Sequence, residues 1–296
     1  MALLKTIRVL ISLTVFVLFA YIATLERSRP RPQVAVSLAR LNVAIVDTTV
    51  KPQGVDVREL ALELPDSLLP FSRGLKTDKE VALSFDACPT SGENHFNSAI
   101  ANILRETKTP ATIFLSGKWV EEDTVATRLL ASDSLIELGN HSYTHPHLTK
   151  LSTAKMKEEL ERTQEIIANL TGRTPFLFRA PFGEYNDTLM NVARAMGLAT
   201  VQYDFESGDP DSNFTAKRLT TWVTQKTRNG SILIMHINNR GWHTAQALPG
   251  IIQFLRRKGF SLVKVSDLMK KVSEELSHSF VARSDLLRGA DSSAKY

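Results

Sequence analysis

The chain has 296 residues, 43% of them hydrophobic, enough for one large core or two modest ones. Its formal charge of +5 does not mark a nucleic-acid protein: residues 1–31 carry four of the five charges, through Lys5, Arg8, Arg27, Arg29 and Arg31 against Glu26. The rest is nearly neutral and offers no electrostatic footprint for nucleic acid. One cysteine, Cys88, excludes an internal disulfide and leaves both export and cytosol open.

Residues 9–25 carry no charge and lie between Arg8 and Glu26. As a helix this run spans about 26 Å, slightly short of a bilayer core of about 30 Å. No polar face recurs at helical spacing, which disfavours an amphipathic core helix. A cleaved signal peptide needs small residues at an A-x-A-like site, whereas Leu18-Phe19-Ala20 and Tyr21-Ile22-Ala23 begin with bulky ones. Residues 1–30 are therefore expected to form an uncleaved signal anchor in preference to a signal peptide. Arginines on both flanks blur the positive-inside rule. The placement expected for the main domain, outside the cytoplasmic membrane in the periplasm or extracellular space, follows from function instead.

Residues 31–75 read as a linker, with Pro32, Pro52, Pro65 and Pro70. From Glu80 the texture becomes a repeated alternation. Apolar, β-prone runs stand at 81–86, 111–116, 135–139, 176–179, 198–203, 231–236 and 260–265. Helical patterns fill 95–107, 118–131, 152–170, 186–197, 215–228 and 243–258, with a last one from 266. The clearest opens on Ser152 as N-cap, closes at Gly172, and repeats Met156, Leu160, Ile166, Ile167 and Leu170 at helical period. Strand followed by helix, seven times over, predicts a parallel sheet with covering helices. No glycine-rich nucleotide loop follows any strand. The count and the short length favour an irregular (β/α) barrel of about seven parallel strands over an open doubly wound sheet. The domain is expected over 76–270, with a polar tail at 271–296.

In such barrels the chemistry collects at the carboxyl ends of the strands. The first strand ends in Asp86 and the third runs into Asn140, His141, His145 and His147. The fourth gives Arg179 and Pro181, the fifth Tyr203, Asp204, Glu206 and Asp209, and the sixth His236. Asp86 alone reads as an ordinary turn initiator, and His236 alone as a structural histidine. Carboxylates, histidines and an arginine at one rim point instead to metal-assisted hydrolysis. His141 and His145 suit zinc or a similar divalent ion, on a loop rather than a helix face because Pro146 follows. Asp86 is the candidate base for a metal-activated water, and His236, from the other side, the candidate acid for a leaving amine. Arg179 is expected to hold Asp86 ionised, and Glu206 or Asp209 to hold His236 protonated.

The strand end Ser84-Phe85-Asp86-Ala87-Cys88 is followed by His141-Ser-Tyr-Thr-His145-Pro146, Arg179-Ala-Pro181, Glu206-Ser-Gly-Asp209-Pro210 and Leu233-Ile-Met-His236. In that order these resemble the five motifs of the polysaccharide deacetylases with a NodB-homology domain, carbohydrate esterase family 4, over about residues 76–270. The resemblance implies Asp86 as base, His236 as acid, and His141 and His145 as ligands of a divalent metal, zinc first. It also implies that Leu233 and Trp242 line an acetyl pocket, with Pro181 and Tyr203 beside the substrate. Two positions depart from the family pattern. Ala87 stands where the family has its third metal ligand, an aspartate, and the fourth motif reads Glu-x-x-Asp-Pro instead of Asp-x-x-Asp-Trp. Asp86 itself, Cys88, Glu93 or water remain as candidates for the missing ligand.

The function expected is removal of N-acetyl groups from a glycan, whether peptidoglycan, chitin-like or capsular. Another C–N hydrolase on the same fold and a glycan-binding pseudoenzyme are the alternatives. Joint retention of Asp86, Arg179 and His236 speaks against the pseudoenzyme, since binding a sugar needs none of them. A cysteine hydrolase built on Cys88 ranks last, because Pro89 crowds the thiol and no histidine is evidently dedicated to it.

Overall fold

The structure, a computed structural model, describes Glu59, residues 64–89 and residues 96–292, with side chains through Ser279. The uncharged run 9–25, most of the segment 31–75 and Glu93 lie outside the described residues. Among the described residues, no helix is long and apolar enough to cross a membrane.

The expected alternation is present. Strand β1 (Glu80–Ala87) is followed by α1 (Ser98–Glu106), β2 (Ala111–Leu115), α2 (Gly117–Glu122), α3 (Thr124–Ser132) and β3 (Ile136–Asn140). Next come α4 (Thr153–Thr171), β4 (Leu177–Phe178), α5 (Asp187–Ala195), β5 (Ala199–Thr200) and β6 (Phe205–Glu206). The chain ends with α6 (Ala216–Lys226), β7 (Ile232–His236), α7 (Thr244–Arg257), β8 (Ser261–Val263) and α8 (Val265–Ser292). Helix α4 begins as its sequence dictates: the Ser152 hydroxyl accepts from Lys155 N, and Gly172 closes it at φ 70°.

Seven parallel strands, in the order β5-β4-β3-β2-β1-β7-β6, form a half-barrel, and β8 pairs with the first residues of β1. The run expected as one strand over 198–203 is shortened to its first half, and a further strand follows it. Ala199–Thr200 pairs with β4, and after a short crossing Phe205–Glu206 pairs with β7. One stretch of chain thus leans from one edge of the arc to the other. Asp204 pins the crossing: its N–H donates to Ile232 O, and its carboxylate accepts from Arg228 and Ser231. The segment expected as linker contributes here as well. Phe71 is buried, its N–H donates to Thr200 O, and its carbonyl accepts from Gln202 N.

Period-2 alternation assigns each strand residue to a layer. In β1, Val81, Leu83, Phe85 and Ala87 face outward into the main core beneath the helices, while Ala82, Ser84 and Asp86 face the barrel interior. In β7, Leu233 and Met235 face outward, and Ile232, Ile234 and His236 inward. Burial on both faces explains why β1 reads as an unbroken apolar run. The interior at the amino-terminal end is apolar, with Ala82, Phe114, Val201 and Ile232 closed over by Val265, Leu268 and Met269 of α8. Past residue 271, where a polar tail was expected, α8 continues as helix to Ser292.

Candidate active site

The parallel register places the site. Asp86 pairs with Phe114 on one side and with His236 on the other, so the candidate base and acid end adjacent strands at one level. His141 directly follows β3, its N–H donating to Leu115 O, and Arg179 directly follows β4, its N–H donating to Asn140 O. These four residues therefore open onto the carboxyl end of the half-barrel. They line or underlie a cleft of about 210 Å³ whose wall also includes Cys88, His145, Tyr203 and Asp209.

Arg179 is fully buried beneath this floor. Its Nη1 donates to Asp86 Oδ1 at 2.9 Å, and its Nη2 donates to Ser84 Oγ at 2.8 Å. Ser84 in turn donates to Leu233 O, and the guanidinium lies 4.1 Å over the Phe114 ring. Asp86 Oδ2 stays free of Arg179 and lies 3.6 Å from His141 Nε2. Burial pushes the Asp86 carboxyl up, but the charges of His141 and Arg179 outweigh it and hold the group below the usual aspartate value.

The opposite wall is built on Asp209, which is 2% exposed. Its Oδ1 lies 2.9 Å from His236 Nδ1, and its Oδ2 accepts from His236 N and Thr244 Oγ1, each at 2.7 Å. Nδ1 is committed to the carboxylate, so Nε2 is the nitrogen left for the cleft. Burial opposes the imidazolium. Asp209, with Cys88 behind it, overrides that and lifts the His236 pKa well above the ordinary histidine value. Of the two carboxylates expected to support His236, Asp209 is the one that touches it. Glu206 instead accepts from Tyr203 Oη at 3.1 Å at the rim. Burial and the neighbouring Glu206 push the Tyr203 hydroxyl up to about 12.

Three groups with ligand chemistry meet between these walls. The Sγ of Cys88 and one ring nitrogen each of His141 and His145 all lie within 4.8 Å of one another. His141 Nδ1 is 2.8 Å from Arg179 O, to which it donates, so Nε2 is the nitrogen that faces the cluster, and the neutral ring offers its lone pair there. Burial raises the Cys88 thiol pKa, but the His141 charge and contacts from His141, His145 and His236 hold it well below the usual thiol value. The loop carrying the histidines is strained at Ser142 and His145, with φ 61° and 60°, as is Phe182 on the facing 3-10 turn, with φ 60°. That backbone turns the His145 ring into the space between His141 and Phe182, with centroids 5.0 Å and 4.7 Å away. Two imidazoles and a cysteine sulfur form a donor set that fits a divalent transition metal.

The residues expected around an acetyl group divide. Tyr203 lines the cleft, whereas Leu233 is fully buried in the outward core. Its neighbour Ile234 lines the cleft in its place, because alternation along β7 turns 233 away. Pro181 is buried in a short 3-10 turn, and Ala180 and Phe182 on either side of it reach the cleft. Trp242 is 58% exposed and stands outside the cleft wall, while its N–H donates to Asp209 O. Ser207, inside the Glu206–Asp209 motif, and Arg240, four residues past the end of β7, also line the cleft and were not singled out in the sequence.

The polysaccharide deacetylase family model matches residues 73–201. The uncharacterized protein YlxY of Bacillus subtilis is 31% identical over 176 residues, covering 60% of this chain and 54% of that protein. The chain spans about half or less of the length of the first curated relatives it matches. Among solved structures, the family 4 carbohydrate esterase from Streptomyces lividans in complex with acetate is 36% identical, with TM-score 0.55, over 61% of this chain and 90% of that one. BA3943 of Bacillus anthracis, described as a pseudoenzyme of the same family, superposes with TM-score 0.61 at 27% identity, over 67% and 68% of the two chains. By family model, sequence identity and superposed fold, the chain belongs to the polysaccharide deacetylases of carbohydrate esterase family 4.

Proposed function

We propose that the chain removes N-acetyl groups from a glycan by metal-assisted acid–base hydrolysis. The observation that carries this is the opposition, across one small cleft, of Asp86, bonded to Arg179, and His236, bonded to Asp209. Asp86 accepts the proton of the water that attacks the acetamide carbonyl carbon. Collapse toward acetate requires a proton on the departing nitrogen, and His236 supplies it through Nε2, while Asp209 stabilises the imidazolium until then. A divalent ion held by His141 and His145 would polarise the carbonyl and lower the pKa of the attacking water toward about 7.

The size of the cleft bears on the substrate. At about 210 Å³ it lies below the usual range for a whole small-molecule ligand, roughly 300–1,000 Å³, and is large enough for one acetamide-bearing group rather than a length of glycan. A shallower groove of about 630 Å³ shares Glu206 and Gly208 with the cleft and is lined by Phe214 and Trp222. Aromatic faces beside a rim of carboxylate and guanidinium groups suit the sugars flanking an inserted acetamide. The same glycan would lie outside the cytoplasm, and the uncharged run 9–25 supports export with the domain anchored to the membrane. Fractionation of the full chain in cells tests that placement. Recovery in the soluble cytosolic fraction would overturn it.

A glycan-binding pseudoenzyme is the competing reading. It leaves unexplained two buried carboxylate–cation pairs, because a binding site gains nothing from desolvating them. The experiment is acetate release from a panel of N-acetylated glycans, comparing wild type, His236→Ala and metal-stripped protein. Turnover in wild type, with at least about a 100-fold loss in His236→Ala, is expected. Binding without turnover by metal-loaded wild type would establish the pseudoenzyme.

A further inference from the structure

We infer that Cys88 is the third protein ligand of the metal site, joining His141 and His145, and that the site therefore takes a borderline-soft divalent ion such as zinc. The inference rests on the reading of this cleft as a metal-assisted centre. The alternation of β1 carries it. Asp86 faces the interior, Ala87 is fully buried in the outward core, and Cys88, though past the last paired residue, returns to the interior and lines the cleft. Ala87 has no donor atom, so Cys88 is the residue of this strand end that brings one beside the two imidazoles.

The surroundings hold Cys88 in place for that role. Its carbonyl accepts from Asn238 Nδ2 at 2.6 Å, and Ala87 O accepts from Ser116 N, so the backbone on both sides of the Cα is tied to neighbouring strands. The thiol is 1% exposed and sits within 4.8 Å of two imidazole donors. One of them, His141, has its other nitrogen already committed to a backbone carbonyl. Ligands 2.0–2.3 Å from a common tetrahedral ion stand about 3.3–3.6 Å apart, so the three donors need to close by little more than an ångström. Asp86 is the weaker candidate: Oδ1 is committed to Arg179, and Oδ2, the free oxygen 3.6 Å from His141 Nε2, is the atom that takes the proton of the attacking water in the proposed reaction. A thiolate also returns the single negative charge that Ala87 leaves out. Sulfur with two imidazoles favours zinc or cobalt and disfavours magnesium, calcium and manganese, which prefer oxygen.

Cobalt(II) tests this directly, because Cys88 is the only cysteine in the chain and any thiolate-to-cobalt charge-transfer band must come from it. The full-length protein, stripped with a chelator and titrated with cobalt chloride, should show that near-ultraviolet band together with intense tetrahedral visible bands. Zinc should displace both. In Cys88→Ser the charge-transfer band should vanish and affinity fall at least about 100-fold, the upper end of what losing an outer-shell partner costs. Cys88→Asp should recover much of the affinity without the band. Cobalt bound without the band, no cobalt bound at all, or a Cys88→Ser variant binding as tightly as wild type would each overturn the assignment. The spectra and the acetate assay separate the two proposals. A charge-transfer band without turnover keeps Cys88 as ligand and removes the deacetylase reading, and turnover without the band does the reverse.

Discussion

Replacing Arg179 by methionine, of similar reach but uncharged, strands the Asp86 carboxylate. Asp86 is 3% exposed, and the substitution removes a charge-assisted bond of 2.9 Å between two groups withdrawn from water. Breaking one partner of a buried pair typically costs about 3–5 kcal/mol, since the survivor keeps its desolvation penalty and loses its compensation. For a domain of this size that corresponds to a fall in Tm of about 6–20 °C. Ser84 Oγ is also deprived of the Nη2 donor, which places the effect toward the upper end. The assay is urea unfolding at neutral pH, with chelator present so that bound metal adds nothing to apparent stability. Asp86→Asn and the double variant complete a thermodynamic cycle. With both charges gone, the double variant should be more stable than the sum of the single losses predicts, by about 1–3 kcal/mol. If the free energies add to within about 0.5 kcal/mol, Arg179 is not the group that holds Asp86, and the account of the base fails.

Two further outcomes follow from the neighbouring carboxylates. Asp209→Asn keeps the shape of the side chain but removes the charge facing His236 Nδ1; losing a charge-assisted bond of about 1.5–3 kcal/mol should lower kcat about 10- to 150-fold, and unchanged kcat with normal metal content would remove Asp209 from the mechanism. Asp204 gives a pH signature away from the cleft: burial raises its carboxyl pKa, but bonds from Arg228 and Ser231 outweigh burial and hold it below the usual value. Its stabilisation is therefore complete above the unfolded pKa of about 3.9 and is lost as pH falls through the lower folded value. Asp204→Asn should melt well below wild type at pH 7, with the gap closing under acid conditions, and a constant gap from pH 7 to pH 2 would contradict this.

Much of this protein is legible in one dimension. The strand-and-helix alternation from Glu80, the Ser152 cap and the Gly172 stop are local properties, set by side-chain period and backbone preference, and the structure places most of them within about three residues, although the helix expected over 118–131 is divided into α2 and α3. The gathering of Asp86, His141, Arg179 and His236 was also readable, because in a parallel sheet every strand delivers its carboxyl end to one rim. What the sequence by itself could not decide is which way each side chain at that rim turns. Leu233 belongs to the core and Ile234 to the cleft, and Ala87 faces out while Cys88 faces in, because pleating assigns faces only once the register is known. The choice of Asp209 over Glu206 as partner of His236 required the loop after β6 to fold back on itself. Nor could local pattern reveal that Phe71 packs beside Thr200, or that residues 199–206 divide between two edges of the arc. Those pairings join residues far apart in the chain, and they form only when closure of the half-barrel brings its edges together.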